Sequence, residues 1–392
     1  MNVANVVLVN EPSLLDRLCD RIRNVDRVGL DTEFHNEKSY GARLMVVQLS
    51  FDDGVAIVDP LTIPDLRPLV QALMGRTVVG HALISDLKIF ADRFQAVPSQ
   101  LFDTQVAAAF CGYGLAVSLV ELVRRITGVR LKKSQTVSDW SSRPFSERQL
   151  EYLTDDVAHL LELHTRLREA LIAAGRYQWA LEECENLAKI DRYRADPARL
   201  YLRIPGANRM NRRELGILSE LATLRDSIAR ERDVPVRYII PDDVLAGLVA
   251  LRPHQEEDLR ALRRLDAGLK KALGARILDA VRRGEQLAEN ELPVNPVRAL
   301  SNQRDGLVSM MNVAVTAVAA QHDLPAALLA PRSALERVAR DLPKTREEFD
   351  EILNLSAWRL QLIGDALWRL LSGESALRID GYGAGSPRIT YA

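Results

Sequence analysis

The chain is poor in cysteine, in net charge and in long apolar runs. Its only cysteines are Cys19, Cys111 and Cys184. Three widely spaced thiols make neither a disulfide framework nor a zinc cluster and suit a reducing compartment, so a cytoplasmic location is expected. Its 52 basic and 53 acidic residues give a net charge of −1. No global basicity advertises nucleic acid, and any such binding has to come from local patches. The N-terminus lacks a basic segment followed by a long apolar run, so no signal peptide is expected. The longest charge-free span, 104–120, is broken by Gly112 and Gly114 and carries Gln105 and Ser118. It reads as a buried helix, a turn and the start of another helix, and no membrane association is expected.

What is present is the make-up of an ordinary globular protein, with 47% hydrophobic and 27% charged residues. At 392 residues the chain is too long for one core, and two to three domains are expected.

The stretch 28–34 reads V-G-L-D-T-E-F, an apolar run ending in two acids. Residues i and i+2 of a strand share a face, so Asp31 and Glu33 set two carboxylates side by side. Like charges that close repel, and a hard divalent cation relieves the conflict. The plain alternative is an acidic strand end in solvent, because D-x-E alone is common. Around this stretch, 6–9, 44–51, 55–58, 77–80 and 101–102 read as strands, with Asp52-Asp53-Gly54 as a hairpin turn. Ser13 is placed to cap a helix carrying Leu14, Leu15, Leu18 and Ile22. Helices over 66–74 and 83–94 alternate with the later strands. A hairpin followed by alternating strands and helices predicts an α/β domain with a mixed sheet.

Two further acids fall where such a site needs them. Asp86 lies in the helix after the strand 77–80, near that strand's carboxyl end, where α/β sites gather. Asp156 lies in a helix with an apolar stripe of Leu150, Leu153, Val157, Leu160 and Leu161. Tyr152 is four residues before Asp156, hence on the same helix face. Each acid alone is as readily an ordinary exposed side chain; the ordered set is much harder to assemble by chance.

This set resembles the DEDD superfamily of 3′→5′ exonucleases. D-x-E matches Asp31-Thr32-Glu33, the second motif matches Asp86 with the preceding Gly80-His81, and Y-x-x-x-D matches Tyr152 and Asp156. A histidine subtype would need His at position 151, where Glu151 stands, so the tyrosine subtype is indicated. Ala82 replaces the Asn that many members carry after the His. Asp155 adjoins Asp156, and the spacing from Tyr152 favours Asp156. The phrases D-T-Q at 103–105, S-D-W at 138–140 and R-P-F-S at 143–146 narrow the resemblance to the ribonuclease D family. The resemblance implies a ribonuclease H-like α/β domain and two divalent ions, Mg²⁺ or Mn²⁺. It makes Asp31 a bridge between them. Glu33 and Asp156 complete the water-activating site, Asp86 holds the second ion, and Tyr152 positions the water. It also implies release of 5′-mononucleotides from RNA 3′ ends, with tRNA precursors and other 3′-extended structured RNAs as substrates, by a monomer. A DNA exonuclease of the same fold and a non-catalytic RNA-binding protein are the alternatives; intact acids at all four positions weigh against the second.

Arg124, Arg125, Arg130, Lys132 and Lys133 form a local basic run, with Trp140 and Arg143 after it. Arg and Lys track phosphates and aromatic faces stack bases, so Arg124, Arg125, Lys132, Lys133, Trp140 and Arg143, with His81 beside the site, are expected nucleic-acid contacts. A solvated charged face is the competing explanation. His159 is expected to be a structural histidine.

The C-terminal half repeats itself. Asp233, Pro235, Pro241, Leu245, Pro253 and Gly274 recur as Asp323, Pro325, Pro331, Leu335, Pro343 and Gly364, each ninety residues on. Two helical bundles of like topology are expected. Both resemble HRDC domains, the second less closely, and the resemblance implies an accessory grip on RNA. The expected divisions are an exonuclease domain over 1–175, a helical linker over 176–208, HRDC-like domains over 209–291 and 292–379, and a flexible tail over 380–392.

Overall fold

The computed structural model describes residues 5–63, 65–131, 139–194, 196–262, 264, 267–293, 302–380 and 388–391. The N-terminal part contains β1 (Val6–Val9), α1 (Pro12–Arg23), β2 (Arg27–His35), β3 (Arg43–Phe51) and β4 (Gly54–Val58). They are followed by α2 (Arg67–Leu73), β5 (Thr77–Gly80), α3 (Ile84–Phe94), β6 (Gln100–Asp103) and α4 (Thr104–Phe110). Then come α5 (Leu119–Thr127), α6 (Glu147–Ala158), α7 (Leu160–Ala173) and α8 (Tyr177–Leu187). Among the described residues the strands form a six-stranded sheet in the order β1-β4-β3-β2-β5-β6. β2 lies antiparallel to β3 and parallel to β5, so the sheet is mixed, as the hairpin signal predicts.

Both faces of this sheet are covered, which is why β3 is buried from Leu44 to Phe51. On one face, Leu30, Leu49 and Val78 pack under α1, α2 and α3 through Leu18, Leu73, Leu87 and Phe90. On the other, Val46, Ile57 and Val79 meet Leu153, Val157, Leu160 and Leu163 of α6 and α7. Helix α1 begins differently from expectation. Glu11 occupies the cap position, Pro12 the first turn, and the Ser13 hydroxyl donates to Glu11.

The helical half repeats in detail. Helices α9 (Arg212–Glu231), α10 (Val236–Ile239), α11 (Asp242–Leu251) and α12 (Ala267–Gln286) form the first unit. The second contains α13 (Asn302–Gln321), α14 (Ala326–Leu329), α15 (Arg332–Asp341), α16 (Arg346–Leu353) and α17 (Ala357–Arg359), which runs through a π turn into α18 (Asp365–Leu371). The bounds of α13, α14 and α15 are those of α9, α10 and α11 moved by ninety residues. The left-handed residues Asp233 and Arg252 recur as Asp323 and Leu342, with φ of 47°, 49°, 49° and 48°.

The expected linker is divided between its neighbours. Helix α8 belongs to the sheet domain: the Cys184 thiol accepts from the Asp103 backbone N–H, and Tyr193 is buried in the same core. From Tyr201 and Ile204 onward the chain packs in the first helical unit. The tail is also ordered in part, because β7 (Leu377–Asp380) pairs antiparallel with β8 (Arg388–Tyr391). Among the described residues no helix is long and apolar enough to cross a membrane.

Both helical units dock on the sheet domain. Trp179 of α8 stacks on Trp358 of α17 with centroids 5.0 Å apart, Phe110 meets Trp358 edge-on, and Arg359 pairs with Glu183 at 2.6 Å. The first unit holds the loop between β2 and β3. The Tyr40 hydroxyl donates to Asp226 at 2.7 Å and accepts from Arg230 at 3.0 Å.

Candidate active site

The period of β2 puts Asp31 and Glu33 on the face covered by α6. That helix starts at a capping box: the Ser146 hydroxyl accepts from the Gln149 N–H, and the Gln149 side chain accepts from the Ser146 N–H. Its Leu153 and Val157 are fully buried, a contribution of roughly 3–6 kcal/mol for the pair. Anchored this way, α6 turns Tyr152 and Asp156 toward β2. Carboxylate oxygens of Asp31, Glu33 and Asp156 lie within 4.8 Å of one another. Asp86 is outside that set. It is buried in the first turn of α3, where the Thr32 hydroxyl donates to it.

Burial and mutual repulsion mark the cluster electrostatically. Asp31 is held well above the ordinary carboxyl range, first by burial and then by Asp86, Asp156 and Glu33. Burial also raises Glu33 to about 8, Asp156 to about 7 and Asp86 to about 6. The Tyr152 phenol is raised by burial and by the adjacent Asp156, so it keeps its proton at neutral pH. Buried acids that raise one another's pKa values are relieved by a positive charge bound among them. The donor set, all oxygen, fits a hard divalent cation.

The expected nucleic-acid contacts fare differently. Trp140 is 5% exposed; its ring lies 5.7 Å from that of Tyr152, and its indole N–H bonds to Glu33, opposing that acid's rise. It supports the acids and offers no open face to a base. Arg143 is committed inward as well. Its guanidinium forks onto Asp59, donates to the backbone oxygens of Met45 and Trp140, and stacks on Phe145. His81 bonds through one ring nitrogen to the Thr104 hydroxyl and through the other to the Val117 carbonyl, and burial lowers its pKa. Of these three, Trp140 is buried, while His81 and Arg143 are half-buried with their polar atoms bonded within the protein. Arg124 is on the surface, paired with Glu121. Arg125 lies over the Tyr113 ring. Lys132 and Lys133 lie outside the described residues.

Asp59 was not singled out from the sequence, and Asp103 entered only within the D-T-Q phrase. Asp103 caps α4 and accepts from the N–H groups of Ala82 and Leu83, so it fixes the turn that leads into α3. The D-T-Q phrase was its signal. Asp59 left only an Asp-Pro after a strand.

Residues 6–172 match a family model described as 3′-5′ exonuclease, and residues 214–281 match the HRDC domain. The ribonuclease D of Granulibacter bethesdensis is 34% identical over 381 residues, covering 95% of this chain and 94% of that one. The chain belongs to the ribonuclease D family. The ribonuclease D of Acidiphilium cryptum is likewise 34% identical, over 96% of this chain and 95% of its own. The crystal structure of Escherichia coli RNase D, described as an exoribonuclease involved in structured RNA processing, matches with a TM-score of 0.82. Identity there is 30%, over 94% of this chain and 99% of that one. As a member of the ribonuclease D family, this chain is a metal-dependent 3′→5′ exoribonuclease built on a mixed-sheet nuclease domain and a helical HRDC region.

Proposed function

We propose that this exoribonuclease trims the 3′ extensions of structured RNA, tRNA precursors among them, by two-ion hydrolysis that releases 5′-mononucleotides. The observation that carries the reading is the convergence of Asp31, Glu33 and Asp156 beside Tyr152. Asp31, Glu33 and Asp156 would hold one ion, and Asp86 with Asp31 the other. When bound, such a pair supplies Lewis-acid charge that lowers the pKa of water and stabilises a leaving 3′ oxygen. The Tyr152 phenol, still protonated, orients the attacking water by hydrogen bond and does not take its proton. Trp140 holds Glu33, and Thr32 holds Asp86, in the positions from which they act. The arginine-rich helical units, docked through Tyr40 and Trp358, provide the surface for the folded part of the RNA.

The test incubates a 3′-extended tRNA and a matched single-stranded DNA with the protein in Mg²⁺ or Mn²⁺, with Asp156→Asn alongside. Stepwise loss of mononucleotides from the RNA, and none with the variant, is expected. Robust shortening by Asp156→Asn overturns the site, and equal or faster trimming of the DNA overturns the substrate.

A further inference from the structure

Gln48 has a fully buried carboxamide with no hydrogen-bond partner at either end, and it sits beside the acids. In the β2–β3 ladder Gln48 is paired directly with Asp31, so the two side chains share a face. On its other side the β4 partner is Ile57. Along its own strand the same face shows Val46 and Ser50. From above, α6 and α7 bring Leu153, Val157 and Leu160. The nearby Thr154 hydroxyl is already given to the Leu150 carbonyl. The polar side chains on that face of β2 and β3 are Asp31 directly opposite, Glu33 one diagonal step away and Ser50 on the same strand.

Burying an amide without partners is costly, and a methionine of similar length would fill the same space without that cost. Such a group persists where it serves a state other than the one that leaves it unpaired. A carboxylate has more acceptor positions than one cation uses, and carboxylates on metals are commonly held by a second hydrogen bond. We infer that Gln48 is a positioning residue of the metal-loaded site, donating an Nε2–H to the Asp31 carboxylate opposite it and so fixing how that group is presented. The inference rests on the metal-hydrolysis reading above and extends it by one residue inward.

Ser50 provides an internal contrast. Its hydroxyl is also buried and unpartnered, but it faces Gly29 across the ladder, where an added Cβ would lie 2.0 Å from it. It is one step farther from the acids than Gln48.

The experiment is a calorimetric titration of the full chain with Mn²⁺, paired with thermal melts in EDTA, for wild type, Gln48→Met, Gln48→Leu and Ser50→Ala. Both Gln48 variants are expected to melt no lower than wild type in EDTA, yet to bind Mn²⁺ about tenfold more weakly or worse. Ser50→Ala is expected to leave the Mn²⁺ affinity unchanged. Unchanged Mn²⁺ affinity in the Gln48 variants overturns the inference, as does an equal loss in Ser50→Ala. Two Gln48 variants keep the test alive if one packs badly. A wild type that binds no Mn²⁺ would overturn the nuclease reading and this inference with it, and that result is read before any variant is compared.

Discussion

The Arg143 guanidinium meets the Asp59 carboxylate side-on across 84 residues of sequence, Nε to Oδ2 at 2.6 Å and Nη2 to Oδ1 at 2.8 Å. Asp59 follows β4, and Arg143 lies in the loop between Trp140 and the start of α6. The pair ties the helix bearing Tyr152 and Asp156 to the sheet bearing Asp31 and Glu33.

Arg143→Lys keeps the charge but loses the fork. The turnover rate on RNA is expected to fall at least tenfold while KM stays within about twofold, because the acids shift and the RNA surface does not. Arg143→Ala, which leaves the buried Asp59 carboxylate without its guanidinium partner, is expected to cost about 3–5 kcal/mol in denaturant unfolding. A rise in KM with an unchanged turnover rate would return Arg143 to the RNA surface.

Trp140→Phe keeps a ring against Tyr152 and removes the N–H that bonds Glu33. Activity is expected to fall while RNA affinity, measured in Ca²⁺ by fluorescence anisotropy, is unchanged. A loss of affinity with normal turnover of bound RNA would show Trp140 stacking on bases.

Glu33, Asp156 and Asp86 titrate at about 8, 7 and 6 in the folded metal-free chain, against about 4 when unfolded. Between those limits the folded state binds more protons than the unfolded one, so stability falls as pH rises through that window. Divalent cations compete with these protons, and their stabilising effect is expected to grow from pH 5 to pH 8. Thermal melts in EDTA and in Mg²⁺ check this. Glu33→Gln is expected to flatten the metal-free slope, and a slope as steep as that of wild type would contradict the assignment.

Ala82 has a φ of 59°, a left-handed conformation that L-residues with a Cβ disfavour and Asn tolerates. Ala82→Asn is expected to stabilise the chain by about 0.5–1 kcal/mol, with activity retained. Denaturant unfolding measures it. A destabilised variant would mean that the amide cannot fit beside the turn held by Asp103.

Tyr40→Phe removes the hydroxyl that joins the loop after β2 to Asp226 and Arg230. Cleavage of short single-stranded RNA is expected to be unchanged, with trimming of a 3′-extended structured RNA slowed. Parallel rate measurements on the two substrates decide it; equal slowing of both would place the effect in the nuclease site.

Much of the acidic site was legible because its spacing is local: a period of two on β2 brings Asp31 and Glu33 together, and a period of about four on α6 brings Tyr152 and Asp156 together. The mixed sheet followed from the hairpin and the alternation after it. What pattern does not carry is which side of an element meets solvent. Trp140, Arg143 and His81 look alike whether they face RNA or the core, and their partners Glu33, Asp59 and Thr104 lie far off or without signal. The split of the linker at α8 rests on the Cys184 contact with Asp103, and the pairing of β7 with β8 on a return of the chain end. Neither leaves a period in the sequence.

The helical half carries its own history. Element bounds that coincide after a constant shift, down to the left-handed residues at the same points, are what tandem duplication leaves. The copies have since diverged in employment: one grips the loop beyond β2, whereas the other lays Trp358 over Trp179 and Phe110. With that contact made, removing the second unit would strip two large rings, Trp179 and Phe110, bare. A shortened version of this enzyme therefore has to recolour that patch with polar side chains before it stays soluble.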